Sequence, residues 1–203
     1  LALFIIDAII SCVVAVLFYF FIAETKPEAS PEHKAESMLE TFKGYGKVLK
    51  DYAFMAFLVA GMLMGVVYQQ MYNSLSVYMR DNHGIDPQGY GFLLTASAVV
   101  VILFQFSVTR WIKKKAPFSM MGLGTLFYMV GFGMMGFIPT GQYWLFVVAV
   151  IIITTGEMIV VPTSQSLATG FAPEEMRGRY MGVFGMTWML PATIGPAAAG
   201  LII

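Results

Sequence analysis

Ala116 to Gly156 reads APFSMMGLGTLFYMVGFGMMGFIPTGQYWLFVVAVIIITTG, a run without one Asp, Glu, Lys or Arg. A helix needs about 20 apolar residues to cross the hydrocarbon core of a bilayer, so this run holds two crossings. Pro139-Thr-Gly-Gln-Tyr143 is a turn signal and divides them. Working outward, further charge-free runs cover Ala8 to Ala23, Tyr52 to Met79, Pro87 to Thr109, Met158 to Pro173 and Tyr180 to Ile203. Six spans follow: Leu3–Ala23, Tyr52–Met79, Gly91–Thr109, Phe118–Ile138, Trp144–Thr169 and Tyr180–Ile203. All are expected to be helices, because only helices and closed barrels satisfy every backbone hydrogen bond in lipid. A barrel would show shorter segments of alternating polarity, whereas these spans are apolar on all sides. The fold class expected is an all-α membrane protein with six transmembrane helices.

Composition excludes the alternatives. Of 203 residues 58% are hydrophobic and 12% charged, about half the charge of a soluble domain. Disordered chains are poor in aromatics, but Phe, Trp and Tyr make up 15% here. The one cysteine, Cys12, rules out a disulfide scaffold. Lys+Arg and Asp+Glu number 12 each, which leaves no basic excess for nucleic acid. No His/Cys/Asp/Glu cluster has metal-ligand spacing, no glycine-rich phosphate loop is present, and no nucleophile–base pair is evident. No enzyme, cofactor or metal site is expected. The first span lacks the basic leader and cleavage site of a signal peptide. The sequence starts without Met and ends inside apolar residues, so it is expected to be part of a longer protein.

Charge fixes the orientation. Six alternating spans put Glu24–Asp51, Arg110–Pro117 and Gly170–Arg179 on one side, and Arg80–Tyr90 and Pro139–Tyr143 on the other. Eleven of the 12 basic residues fall on the first side, and Arg80 stands alone on the second. The positive-inside rule makes the first side cytoplasmic, in a cell (plasma or inner) membrane. In its longest loop Ser30-Pro31 resembles a helix start. Met38, Leu39, Phe42, Tyr45, Val48 and Leu49 then recur at helical spacing between charged residues. This reads either as an amphipathic helix on the inner membrane surface or as a plain linker between two bundles.

Polar groups inside the spans are costly, and point to a partner or a cavity. Asp7 lies near the outer end of the first span. Glu157 lies midway along the fifth, one turn before Pro162, which breaks the helical ladder. Desolvation disfavours the charged form of a carboxyl, which suits Glu157 to carry a proton; the bland alternative is a hydrogen-bonded lock between helices. The second span carries Tyr68, Gln69, Gln70, Tyr72, Asn73, Ser74, Ser76 and Tyr78. Gln69, Asn73 and Ser76 share one helix face, and Tyr72 lies beside it. These groups serve as interhelical glue or line a wet cavity for amphiphilic molecules, with Thr154 added from the fifth span. Gly61-xxx-Gly65, and Pro191, Gly195 and Pro196 in the last span, read as close-packing and kinking signals. Such helices also suit a rocking transporter.

Several stretches resemble the C-terminal half of a major facilitator superfamily transporter of the drug-efflux type. Ala172-Pro-Glu-Glu-Met-Arg-Gly-Arg-Tyr-Met-Gly182, with Arg177 and Arg179, looks like the short cytoplasmic loop between that family's tenth and eleventh helices. Ile194-Gly-Pro-Ala-Ala-Ala-Gly200 looks like its eleventh helix, Gly156-Glu157 with Pro162 its tenth, and Ala23-Glu-Thr-Lys-Pro27 the end of its sixth. Gln105-Phe-Ser-Val-Thr109-Arg110-Trp-Ile-Lys113-Lys114 matches the basic residues of a family signature. It has Gln105, Thr109 and Ile112 where the signature has Gly, Asp and Gly.

The resemblance implies three parts. Residues 1–23 are the last helix of an N-terminal bundle, 24–51 the cytoplasmic central loop, and 52–203 a C-terminal bundle lacking its final helix. Family helices seven and ten line the central cavity, which implies that Gln69, Tyr72, Asn73 and Glu157 lie on the substrate path. The expected function is secondary active transport by alternating access, with proton-coupled export of small amphiphilic molecules or drugs. The alternatives are proton-coupled uptake of peptides or sugars, and a non-transporting sensor or scaffold. Partners expected are the lipid bilayer, a small-molecule substrate, the proton and the N-terminal bundle of the same protein.

Overall fold

The computed structural model describes residues 2–22 and 37–200. It divides into two compact units, Leu1–Met38 and Leu39–Ile203. The described part of the first is one helix, α1 (Ala2–Phe21), whose residues from Phe4 onward are all exposed. The Ser30-Pro31 helix start lies outside the described residues.

In the second unit the chain is again helical: α2 (Met38–Val48), α3 (Tyr52–Asn73), α4 (Leu75–His83), α5 (Pro87–Ile112), α6 (Pro117–Met135), α7 (Tyr143–Phe171), a 3-10 turn (Glu174–Met176), α8 (Arg177–Phe184) and α9 (Met186–Gly200). No strand occurs among the described residues. Five helices, α1, α3, α5, α6 and α7, are long and apolar enough to cross a membrane.

The ends of these helices follow local chemistry. Asp51 caps α3 by accepting from the Phe54 amide at 3.1 Å, and Asp86 caps α5 by accepting from Gly89 at 2.8 Å. Pro87 and Pro117 stand at the first helical positions, where a missing N–H costs nothing. The cap at Asp86 starts α5 a turn earlier than the polarity pattern predicts. Gly84 closes α4 in the left-handed region, at φ 65°, which glycine adopts without a Cβ penalty.

Two expected spans are interrupted. The second breaks at Ser74, between α3 and α4, where the Ser74 hydroxyl donates to Gln70 Oε1 at 2.6 Å. Gln70 Nε2 in turn donates to the Val66 carbonyl at 3.1 Å and to the Gly195 carbonyl on α9 at 3.3 Å. The sixth expected span breaks at Gly185, between α8 and α9. Ser74 and Gly185 both keep right-handed helical torsions, so each break is a kink and not a reversal.

The long, half-buried α7 is the centre of the unit, packed against α5 and α6, while α3 packs against α9. Glycine brings α6 and α7 together. A Cβ at Gly131 would lie 3.0 Å from the Ala149 carbonyl oxygen, and one at Gly156 would lie 2.8 Å from that of Gly124. Backbone-to-backbone approach of this kind is how helices associate in lipid. Gly65 does the same for α3 and α9, with the Thr187 carbonyl oxygen 3.0 Å from a Cβ placed there. At Gly61 the nearest atom is the Thr187 side-chain methyl, 3.4 Å away, an ordinary contact. On the α5 side, the Ser97 and Thr154 hydroxyls hydrogen-bond at 2.8 Å in a fully buried setting.

Pro162 sits within α7. It has no N–H, so the Met158 carbonyl one turn back loses its donor. Gln105 on α5 supplies another, with Nε2 3.4 Å from that oxygen and 2.9 Å from Thr109 Oγ1. The glutamine that replaces glycine in the family-like signature therefore bridges the α7 kink.

Candidate functional site

The expected stripe on α3 and the carboxyl on α7 come together through Tyr68. Tyr68 is buried, and the Glu157 carboxyl lies beside its hydroxyl. The Tyr68 and Tyr72 hydroxyls are 3.2 Å apart, and Tyr72 is 47% exposed. A line of polar groups thus runs from Glu157, past Tyr68, to an exposed side chain, Tyr72.

Aromatic rings hold that line in place. Tyr128 of α6 packs on Tyr68 at a centroid distance of 5.5 Å, and Trp188 of α9 meets it edge-on at 6.4 Å. The cavity beside Tyr68 has a volume of about 40 Å³, room for about one water molecule. A larger groove of about 530 Å³ runs between α3 and α6, with Ala53, Ala60, Gly61 and Gly122 in its walls. It carries no charged side chain and touches neither Glu157 nor Tyr72.

The other expected residues divide into two groups. Asn73 is exposed, and its Nδ2 donates to the Gln69 carbonyl at 3.0 Å. Gln69 and Ser76 are half-buried on the same side. Thr154 is set apart: it is fully buried and its hydroxyl is spent on Ser97 of α5. In this conformation its hydroxyl does not join the Tyr68 line.

The packing residues also separate. Arg177 pairs weakly with Glu174 at 3.7 Å, both side chains exposed. Arg179 lies over α2, where a Cβ at Gly44 would run into its guanidinium. Beside it, Tyr180 donates to Asp51 Oδ2 at 2.9 Å, which ties α8 to the start of α3. Gly195 is buried against Gln69 and Gln70, and Pro196 is exposed.

Tyr128, Trp188 and Gln105 were not among the expected site residues. Tyr128 and Trp188 look like ordinary lipid-facing aromatics in an apolar run. Gln105 did carry a signal, as a lone amide at the depth of a proline in a later span.

Among the described residues no group of three His, Cys, Asp or Glu side chains could hold a metal ion. What the arrangement offers is a carboxyl on α7, tyrosine hydroxyls between it and an exposed face, and aromatic walls.

Comparison with known proteins finds matches over most of the chain. A family model described as Major Facilitator Superfamily matches residues 1–196. A "Na(+), Li(+), K(+)/H(+) antiporter" of Planococcus maritimus is 29% identical, over 93% of this chain and 49% of its own length. The MFS-type transporter YqjV of Bacillus subtilis (strain 168) is 30% identical over 76% of the chain, and YdeE of Escherichia coli (strain K12) 27% over 77%. The chain spans about half the length of the first of these relatives, and 37% and 40% of the other two.

Proposed function

The chain belongs to the major facilitator superfamily, and on that premise we infer that it forms part of a proton-coupled exporter of small amphiphilic molecules. It is a membrane transporter and not an enzyme. In our reading α1 is the sixth family helix, residues 24–51 are the cytoplasmic central loop, and α3 to α9 are helices of the C-terminal bundle. The exposed apolar face of α2, with Met38, Leu39 and Phe42, then lies against the inner membrane surface.

The observation that carries this reading is the line Glu157–Tyr68–Tyr72. An ionised carboxylate only accepts hydrogen bonds, whereas a protonated one can also donate. With Glu157 ionised, Tyr72 donates to Tyr68 and Tyr68 donates to Glu157. Protonation lets Glu157 donate to Tyr68 and reverse the line. Neither tyrosine need ionise, and the change is felt at the exposed Tyr72 ring, where solute meets the passage. Gln69, Asn73 and Ser76 extend that surface with uncharged hydrogen-bonding groups. Solute then binds near the midplane while two bundles rock about it, with Gly65, Gly195 and the proline kinks permitting the motion.

Exchange of a monovalent metal cation for protons is the second reading. It is favoured by the relative named as a Na(+), Li(+), K(+)/H(+) antiporter, since one carboxylate can bind either ion in turn.

The sign of coupling tests both. In proteoliposomes of the full-length protein, ethidium, an amphiphilic aromatic cation, is expected to accumulate inside acid-loaded vesicles and not inside vesicles acidified on the outside. Accumulation with the opposite gradient would mean symport and contradict export. Accumulation of rubidium but not ethidium under the same gradient would favour the second reading.

A further inference from the structure

We propose that the cavity between the α5–α6 turn and the Pro162 kink of α7 binds the phosphate group of an anionic phospholipid. The cavity has a volume of about 190 Å³, room for roughly six water molecules, and so for a phosphate head. Its walls include Thr109, Lys113, Lys115, Pro117, Thr163 and Ser166.

Ile112, Met120 and Pro162 complete the walls, and the charged groups in them, Lys113 and Lys115, are both cations. Lys113 and Lys115 supply charge. Thr109 Oγ1 already accepts from Gln105 Nε2 at 2.9 Å, which leaves its O–H to donate outward. Pro117 and Met120 bring the start of α6 to the cavity, where the first amides of the helix have no intrahelical acceptor and Ala116 provides no side-chain cap. The helix dipole adds attraction for an anion there. Against this, no carboxylate stands nearby in sequence: there is no Asp or Glu from residue 87 to 156. Among the described residues no carboxylate pairs with Lys113 or Lys115.

The surroundings favour a lipid over free phosphate. Trp111 is 46% exposed and Phe118 66%, and Lys115 Nζ lies 6.0 Å from the Trp111 ring centroid. These are the aromatic and cationic neighbours of a headgroup at a membrane interface. Basic pockets between transmembrane helices hold anionic headgroups in the same way. The cavity also touches Pro162, so an occupant would brace the kink that follows Glu157. The inference rests on the reading that this end of the unit lies at a bilayer surface.

The test uses the full-length protein in nanodiscs of phosphatidylcholine alone, or of phosphatidylcholine and phosphatidylglycerol in equal parts. Bound lipid is counted by native mass spectrometry after release. Retention of phosphatidylglycerol is expected, with affinity falling about thirtyfold in Lys113→Gln/Lys115→Gln, since each lysine near an anionic surface contributes about a factor of five. Lys113→Arg/Lys115→Arg should retain the lipid, and Lys47→Gln/Lys50→Gln, at and just beyond the end of α2, should change little. Unaltered retention in the double glutamine variant would overturn the proposal. Displacement of the lipid by equimolar inorganic phosphate would overturn the lipid assignment in favour of a free-anion site. Thiol labelling of Lys113→Cys in intact cells checks the underlying reading separately. Labelling from outside would refute the orientation while leaving the nanodisc result to stand.

Discussion

Full-length protein carrying Glu157→Gln is expected to lose all solute accumulation driven by a pH gradient, while still exchanging solute for solute. The reasoning is thermodynamic. One pH unit is worth about 1.36 kcal/mol per proton, which sustains about a tenfold solute gradient when one proton is exchanged per solute. Glutamine keeps the size and an acceptor oxygen beside Tyr68 but cannot take up or release a proton. The variant therefore resembles the permanently protonated state and couples nothing. Proteoliposomes loaded at acid pH should show about a tenfold ethidium gradient per pH unit with the unaltered protein and none with the variant. Equilibrium exchange of labelled for unlabelled ethidium should persist in both. A variant that still concentrates ethidium would move the proton site elsewhere.

The second large effect concerns the α6–α7 crossing. Gly156→Ala places a methyl group 2.8 Å from the Gly124 carbonyl oxygen and 3.0 Å from Phe127 Cβ. Neither atom belongs to a flexible side-chain tip, so the helices must part. Overpacking of this kind costs about 1–3 kcal/mol, and the displaced segment carries Glu157 with it. Gly131→Ala meets the Ala149 carbonyl oxygen at 3.0 Å in the same way. Gly133 lies on α6 two residues further on, with nothing within 4 Å of a Cβ. There alanine should be neutral or stabilising by about 0.5–1 kcal/mol, because glycine is a poor helix former. Thermal unfolding in detergent should rank the variants as Gly133→Ala above the unaltered protein, and Gly131→Ala and Gly156→Ala several degrees below it. Equal stability of all three would mean that α6 and α7 do not cross at these glycines.

Much of this was legible in the sequence. The charge-free runs located every long helix, because the cost of burying charge in lipid is larger than any local propensity. Glu157 and the Tyr68–Ser76 stripe stood out for the same reason. Other features left no trace in composition. The kinks at Ser74 and Gly185 keep helical torsions, so the polarity pattern runs through them unchanged. Thr154 was assigned to the cavity by depth alone. Its partner Ser97 was invisible, since a hydroxyl within an apolar helix gives no hint of which neighbour it faces. The period of α2 was readable, but not which side docks. Gly44 and Val48 pack inward while the larger Met38, Leu39 and Phe42 stay outside, because Arg179 needs the space that a glycine leaves.

The most direct test is water access along α3. In full-length protein cleared of native cysteines, Cys12 included, Tyr72→Cys and Ile102→Cys are each exposed to a membrane-impermeant thiol reagent. Ile102, on α5, is 80% exposed and apolar, and so marks a lipid-facing surface. The account predicts rapid labelling at position 72, slowed by ethidium, and none at position 102. Failure to label position 72 from either side of the membrane would place Tyr72 against acyl chains and contradict a solute passage beside Glu157.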